Sequence, residues 1–138
     1  MTPDEIHDFL RIGTRTGKLA VVGADGSARV VPVWFVLDGD DVVFMTGDTT
    51  LKSRAMRRDP RVCLVVDLES PPYAFVQVNG TVTLSDDTEE LLRFGTSIGA
   101  RYMGADRGEE FGKRNAVPGE MLVRLTPTKI IAFADVAG

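Results

Sequence analysis

The sequence predicts a mainly β, antiparallel barrel with attached helices. Three observations predict it. Seven short strand signals fall mostly in succession, and about four helical stretches are inserted between them instead of alternating with them. Residues 74–84 also alternate apolar and polar with a period of two, as a strand with one core face does. A doubly wound parallel sheet needs a helix after nearly every strand, and this chain does not supply them.

The elements follow in order. Thr2-Pro3-Asp4-Glu5 reads as a helix start: Thr2 caps, Pro3 suits the first helical position and Glu5 completes a capping box. Ile6, Phe9 and Leu10 form its apolar stripe, and it stops near Gly13. Residues 17–23 are a short apolar strand, and Asp25-Gly26 is a hairpin turn. Residues 28–37 are apolar on both faces and read as one strand covered on both sides. Asp38-Gly39 turns the chain into a strand at 42–46. Thr50–Arg58 reads as a short helix ended by Pro60, and 61–68 as a strand. Ser70-Pro71-Pro72 is a stiff loop. In 74–84, Ala74, Val76, Val78, Gly80, Val82 and Leu84 share the core face. Asp86 and Glu89 cap a helix over 87–103 with the stripe Leu91, Phe94, Ile98 and Tyr102. A shorter helix over 106–114 starts at Asp106, and Pro118-Gly119 leads into two last strands, 120–126 and 129–134.

The 138 residues suit one ordinary domain spanning 1–138, and 43% hydrophobic content suffices for a core. The formal net charge of −4 offers no long-range attraction to nucleic acid or an anionic membrane. The polar, acidic start MTPDEIHDFLR is no signal peptide, and no apolar run is long enough to span a bilayer. One cysteine, Cys63, allows no internal disulfide, which fits a cytoplasmic protein.

Conventional catalytic sets are missing. His7 is the only histidine and reads as a solvated helix side chain. Cys63 reads as a buried, inert thiol in an apolar strand. There is no Cys/His cluster for zinc, no GxSxG, no P-loop and no GxGxxG. If the chain is an enzyme, a bound cofactor does the hard chemistry.

The outstanding segment is Thr50–Arg61, which holds five of the sixteen basic residues within twelve positions. It opens a helix directly after a strand and a turn. It reads either as a phosphate cradle, built from free backbone N–H groups and basic side chains, or as a solvated basic face. Pro32 sits in a strong strand and needs an edge, a bulge or a ligand there. Trp34 and Phe35 beside it either wall a flat ring or serve the core. Gln77 and Asn79, on the polar face of their strand, either bond a ring edge or face solvent. Tyr102 reads as packing, Asn115 as a C-cap, and Asp67 as a partner for an arginine.

In order along the chain, these landmarks resemble a known family. They are the Asp25-Gly26 hairpin, Val31-Pro32-Val33-Trp34-Phe35, Val43-Phe44-Met45-Thr46-Gly47, and Lys52-Ser53-Arg54 running on to Arg57-Arg58-Asp59-Pro60-Arg61-Val62. Val76-Gln77-Val78-Asn79-Gly80 and Arg101-Tyr102-Met103-Gly104 complete them. The chain resembles the pyridoxamine 5′-phosphate oxidase-like proteins, and within them the small deazaflavin (coenzyme F420)-dependent enzymes. The resemblance implies an antiparallel six- to seven-stranded split β-barrel of the FMN-binding type with flanking helices. It implies a homodimer with two cofactor sites at the interface, a small-molecule substrate, and hydride transfer from F420, with FMN as the alternative cofactor. A non-catalytic flavin or F420 carrier is the third reading. By resemblance Lys52, Ser53 and Arg54 hold the cofactor phosphate, and Pro32, Val33, Trp34, Met45, Thr46 and Gly47 border the ring. Pro72-Tyr73, Gln77 and Asn79 approach from the partner subunit; no catalytic residue is assigned, and water or Tyr73 is the source of the product's proton. The family's vitamin B6 oxidases carry a histidine set for substrate phosphate, and this chain has only His7.

Overall fold

The computed structural model describes residues 1–138. Helix α1 spans Pro3–Arg11 and starts with the expected capping box: Thr2 Oγ1 accepts from the Glu5 N–H (3.1 Å) and Glu5 Oε1 from the Thr2 N–H (2.9 Å). Strands β1 (Gly17–Val22), β2 (Ala28–Val33), β3 (Phe35–Asp38) and β4 (Asp41–Gly47) follow. Helix α2 (Leu51–Arg58) leads to β5 (Arg61–Leu68) and β6 (Ala74–Ser85). Helix α3 (Thr88–Met103), one 3₁₀ turn (Ala105–Arg107) and helix α4 (Gly108–Asn115) precede β7 (Glu120–Phe133).

All seven strands form one antiparallel sheet in the order β2-β1-β5-β6-β7-β4-β3. The two outermost strands, β2 and β3, are neighbours in sequence, separated only by Trp34. One residue cannot span a flat seven-stranded sheet, since strands lie about 4.8 Å apart. The sheet therefore curls until its edges meet at Trp34, and the result is a split half-barrel.

The concave face holds the main core, with Leu19, Phe35, Phe44, Leu64, Val76, Val78 and Leu125 at its centre. Helix α1 contributes Leu10 and helix α2 contributes Ala55 and Met56. A second, smaller cluster of Val43, Leu91, Phe94 and Leu122 packs α3 on the opposite face of β4 and β7. Strand β4 is thus apolar on both faces because both are covered. The alternation of β6 stands as expected, with Ala74, Val76, Val78, Gly80 and Val82 buried.

Several expectations are corrected. Residues 28–37 are two strands, and β2 is an open edge whose Val30 is 63% exposed. Its apolar run marks the change of sheet edge at Trp34, not double coverage. Residues 120–133 are one strand. Pro127 fits within it because pairing with β4 ends at Leu125, so no ladder bond is lost on that side, and a bulge opposite Asn79 and Gly80 absorbs Thr128. Asp87, not Asp86, caps α3, and α4 begins at Gly108 after the 3₁₀ turn, with no side-chain cap. His7 is half-buried and its Nε2 lies 3.2 Å from the Gly39 carbonyl, tying α1 to the β3–β4 turn. Cys63 is half-buried, and burial pushes its thiol above the usual range. Asp67 pairs with Lys18 (2.8 Å), not with an arginine.

Candidate functional site

The basic segment folds as expected, and its hydrogen bonds sort its residues into two groups. Thr50 caps α2: its Oγ1 accepts from the Ser53 N–H (3.2 Å) and donates to the Gly47 carbonyl (3.0 Å). Thr46 is buried on the barrel side of β4, and its Oγ1 stands 2.9 Å from Thr50 Oγ1. Ser53 is wholly buried and its Oγ donates to the Asp48 carbonyl (3.0 Å). Arg54 donates to the Thr49 carbonyl (2.8 Å) and Arg57 to that of Asp48 (2.7 Å). Thr46, Ser53, Arg54 and Arg57 therefore build the turn that presents the helix start. Of the three expected clamp residues, only Lys52, half-buried, lines the cavity that Pro32 and Trp34 border.

That cavity, about 310 Å³, is lined by Pro32, Val33, Trp34, Met45, Gly95, Ile98, Lys52, Asn115 and Glu120. Of the expected ring-border residues, Pro32, Val33, Trp34 and Met45 line it. Thr46 and Gly47 do not line it; Gly47 pairs across the sheet with Glu120, which does. Trp34 stacks on Tyr102 with the rings 5° from parallel and centroids 5.0 Å apart, yet it remains 41% exposed. Its backing is fixed. Tyr102 Oη donates to the Arg15 carbonyl (2.9 Å) and accepts from the Phe35 N–H (3.3 Å). Arg101 donates to the carbonyls of Leu10 (2.8 Å), Gly13 (2.9 Å) and Phe35 (2.7 Å). Tyr102 is thus a structural bolt, where the sequence shows only an apolar stripe.

A second concavity of about 380 Å³ lies between β2 and α2. Arg29, Arg54 and Arg58 surround a floor that includes Val30, Val31 and Leu51. Lys52 borders both spaces.

Sequence reasoning missed four lining residues. Gly95 falls between Leu91 and Ile98 on the apolar stripe of α3, and a missing side chain in such a stripe is a readable sign of space. Asn115 ends α4, while Ala116 is the cap. Glu120 carries no local signal; it reaches the cavity because it opens β7 opposite Gly47. Burial and the nearby Asp48 carboxylate push the Glu120 carboxyl above its usual range, and Lys52 pulls it back in part.

Tyr73, Gln77 and Asn79 do not line this cavity. Gln77 and Asn79 lie on the outer face of β6, where Asn79 Nδ2 donates to Gln77 Oε1 (3.0 Å). Tyr73 precedes β6 as an exposed residue at φ 55°. No three metal-ligating side chains cluster anywhere in the chain, and no helix is long and apolar enough to cross a membrane.

The family model described as pyridoxamine 5′-phosphate oxidase matches residues 2–134. The chain belongs to this family. Flavin or deazaflavin cofactors are what the pyridoxamine 5′-phosphate oxidase family typically binds. Among solved structures, the family member is similar to the conserved hypothetical protein Rv2991 of Mycobacterium tuberculosis, with 26% identity and a TM-score of 0.86 over 96% of this chain and 84% of that one. An F420 reductase follows at 24% identity and a TM-score of 0.70, covering 90% of this chain and 94% of that one. The heme storage protein HutZ of Vibrio cholerae shares 19% identity at a TM-score of 0.73, covering 96% and 94%. The last two bear on the fold alone. No curated protein matches the chain in sequence at a significant level.

The residues present fit a phosphate-bearing ring cofactor of this family. The N–H groups of Leu51 and Lys52 have no acceptor within α2, and the Lys52 side chain stands beside them. Trp34, Met45 and Ile98 supply apolar wall for a flat ring.

Proposed function

We propose that the chain is an oxidoreductase that uses coenzyme F420 to reduce an unsaturated or conjugated small molecule. One observation carries this reading: two concavities meet at Lys52, one of ring size walled by Trp34, Met45 and Ile98, the other an apolar floor surrounded by Arg29, Arg54 and Arg58. A cofactor whose ring occupies the first and whose phosphate sits at Lys52 has Arg29, Arg54 and Arg58 ahead of any further anionic tail. FMN ends at its phosphate and leaves that second space unused, so the arrangement favours F420.

The bound cofactor supplies the hydride. The protein's residues bind and orient. Lys52 and the first N–H groups of α2 hold the phosphate, Trp34 and Met45 fix the ring plane, and the wall excludes water from one side. A second copy of the chain brings Tyr73, Gln77 and Asn79 toward the open side of the cavity, and the site is completed in a homodimer.

Equilibrium dialysis of the protein against F420 and FMN tests the cofactor. F420 binds more tightly, and Lys52→Ala weakens it about 10- to 100-fold, the worth of one charge-assisted hydrogen bond. Tighter binding of FMN overturns the choice of F420, and an unchanged affinity in Lys52→Ala overturns the phosphate site. Turnover of reduced F420 with a panel of quinones, enones and nitro compounds separates an enzyme from a carrier: a carrier gives none.

A further inference from the structure

We propose that Glu120 is the proton donor of this cavity, and that a phosphate group seated at Lys52 holds it in its acid form. The inference rests on the cofactor reading above and deepens it.

Hydride transfer to a conjugated substrate leaves a negative charge that a proton must meet. Tyr73 lies outside the cavity of its own chain and reaches one only across the homodimer, whereas Glu120 belongs to the cavity itself. Glu120 lines the same cavity as Lys52, Asn115 and Trp34. Its backbone is fixed: the Glu120 N–H donates to the Val117 carbonyl (3.2 Å), and the residue pairs with Gly47 across the sheet. Its side chain is half-buried and has no hydrogen-bond partner.

The charges around it come from few elements. The turn before α2 presents Asp48, and α2 presents Lys52. Asp86, ahead of α3, shares a cleft with Asp48 and Glu120. Helix α3 faces the cavity with Gly95 and Ile98, and β4 with Met45, all uncharged. The end of α4 offers neutral Asn115, while Lys113 and Arg114 are exposed and Arg114 leans on the Phe111 ring (5.6 Å). Lys52 is therefore the cation that opposes protonation of Glu120, against burial and the Asp48 carboxylate, which favour it. An anion bound to Lys52 cancels that opposition and adds its own negative charge. Loading the site arms the acid.

The step balances. A hydride from the reduced deazaflavin adds to one carbon of a C=C bond conjugated to a carbonyl, and the π pair moves to the other end as an enolate. The Glu120 O–H bond breaks, its proton joins the α-carbon, and the electron pair stays on the carboxylate, which solvent reprotonates. The substrate gains two electrons and two hydrogens, and the deazaflavin is oxidised.

Carbon-13 NMR of protein labelled at the glutamate carboxyls tests this, with Glu120 assigned by its absence in Glu120→Gln. In the free protein Glu120 has the highest midpoint of the glutamates, and saturation with F420 raises it further. In Lys52→Ala the free midpoint is already raised and loading adds little. Glu120→Gln retains or tightens F420 binding while kcat falls about 100-fold, and Glu120→Asp recovers part of the loss. A midpoint among those of the other glutamates in both states, or an unchanged kcat in Glu120→Gln, overturns the proposal. If neither F420 nor FMN binds, the cofactor reading falls on its own. The coupling is then tested with inorganic phosphate, and a midpoint that phosphate leaves unmoved overturns it.

Discussion

At the scale of single residues, the site divides into groups that face a ligand and groups that hold those groups still. Tyr102 belongs to the second kind. Its hydroxyl satisfies both the Phe35 N–H and the Arg15 carbonyl, so Tyr102→Phe leaves two inner polar groups without a partner. A loss of about 1–3 kcal/mol is expected in urea denaturation. Glu120 is costly in the opposite sense. Its folded-state carboxyl lies above the ordinary value of 4.5, so its ionisation disfavours the fold as pH rises through that raised value. Glu120→Gln therefore raises the melting temperature near neutral pH. The gain shrinks to nothing as pH falls below about 4.5, which melts across pH 4 to 8 will show. Lys52, Pro32 and Trp34 stood out from local signals, a basic helix start and a proline-bearing strand with an aromatic beside it, whereas Val33 and Met45 came only from the family resemblance. It misassigned the Ser53 hydroxyl, since the hydrogen bond to Asp48 depends on how a turn closes. Glu120 was invisible because only cross-strand register brings it to Gly47.

At the scale of elements, local chemistry decided most boundaries. The cap at Thr2 was legible because it needs only a hydroxyl and a neighbouring N–H, whereas Thr50, read as the first helical residue, is the cap of α2. Thr50→Ala removes the α2 cap and loosens the Gly47 turn. It costs about 1 kcal/mol and weakens anion binding at Lys52, as paired melts and dialysis will report. The last strand was less legible. Thr126-Pro127-Thr128 resembles a break, yet β7 continues through it because β4 no longer pairs there. Gly80 marks the same place from the other strand: a Cβ on it would collide with the Thr126 carbonyl. Gly80→Ala is expected to cost about 3 kcal/mol by forcing β6 and β7 apart. A drop in melting temperature with unchanged cofactor stoichiometry is the expected result.

At the scale of the whole molecule, the antiparallel barrel class was readable from consecutive strands with inserted helices. The order of the strands was not. Pairing β2 and β3 with opposite edges is a long-range choice, and the apolar run 28–37 conceals it. The curled sheet leaves the large apolar side chain of Phe133 exposed on its outside, beside half-buried Phe75. Phe133 flanks the strand that carries Gln77 and Asn79. If the site is completed in a homodimer, Phe133→Glu shifts sedimentation toward the monomer and weakens F420 binding together. A monomeric wild-type protein would refute the shared site.

Trp34 is the molecule's only tryptophan, and it sits where the two sheet edges join. The protein therefore carries one intrinsic fluorophore with one face stacked on Tyr102 and the remainder exposed at the cavity. Its emission reports two events without any label. A flat conjugated ring entering the cavity quenches it at constant wavelength. Parting of the sheet edges moves the indole into water and shifts its emission to the red, so occupancy and opening can be followed separately in a single titration.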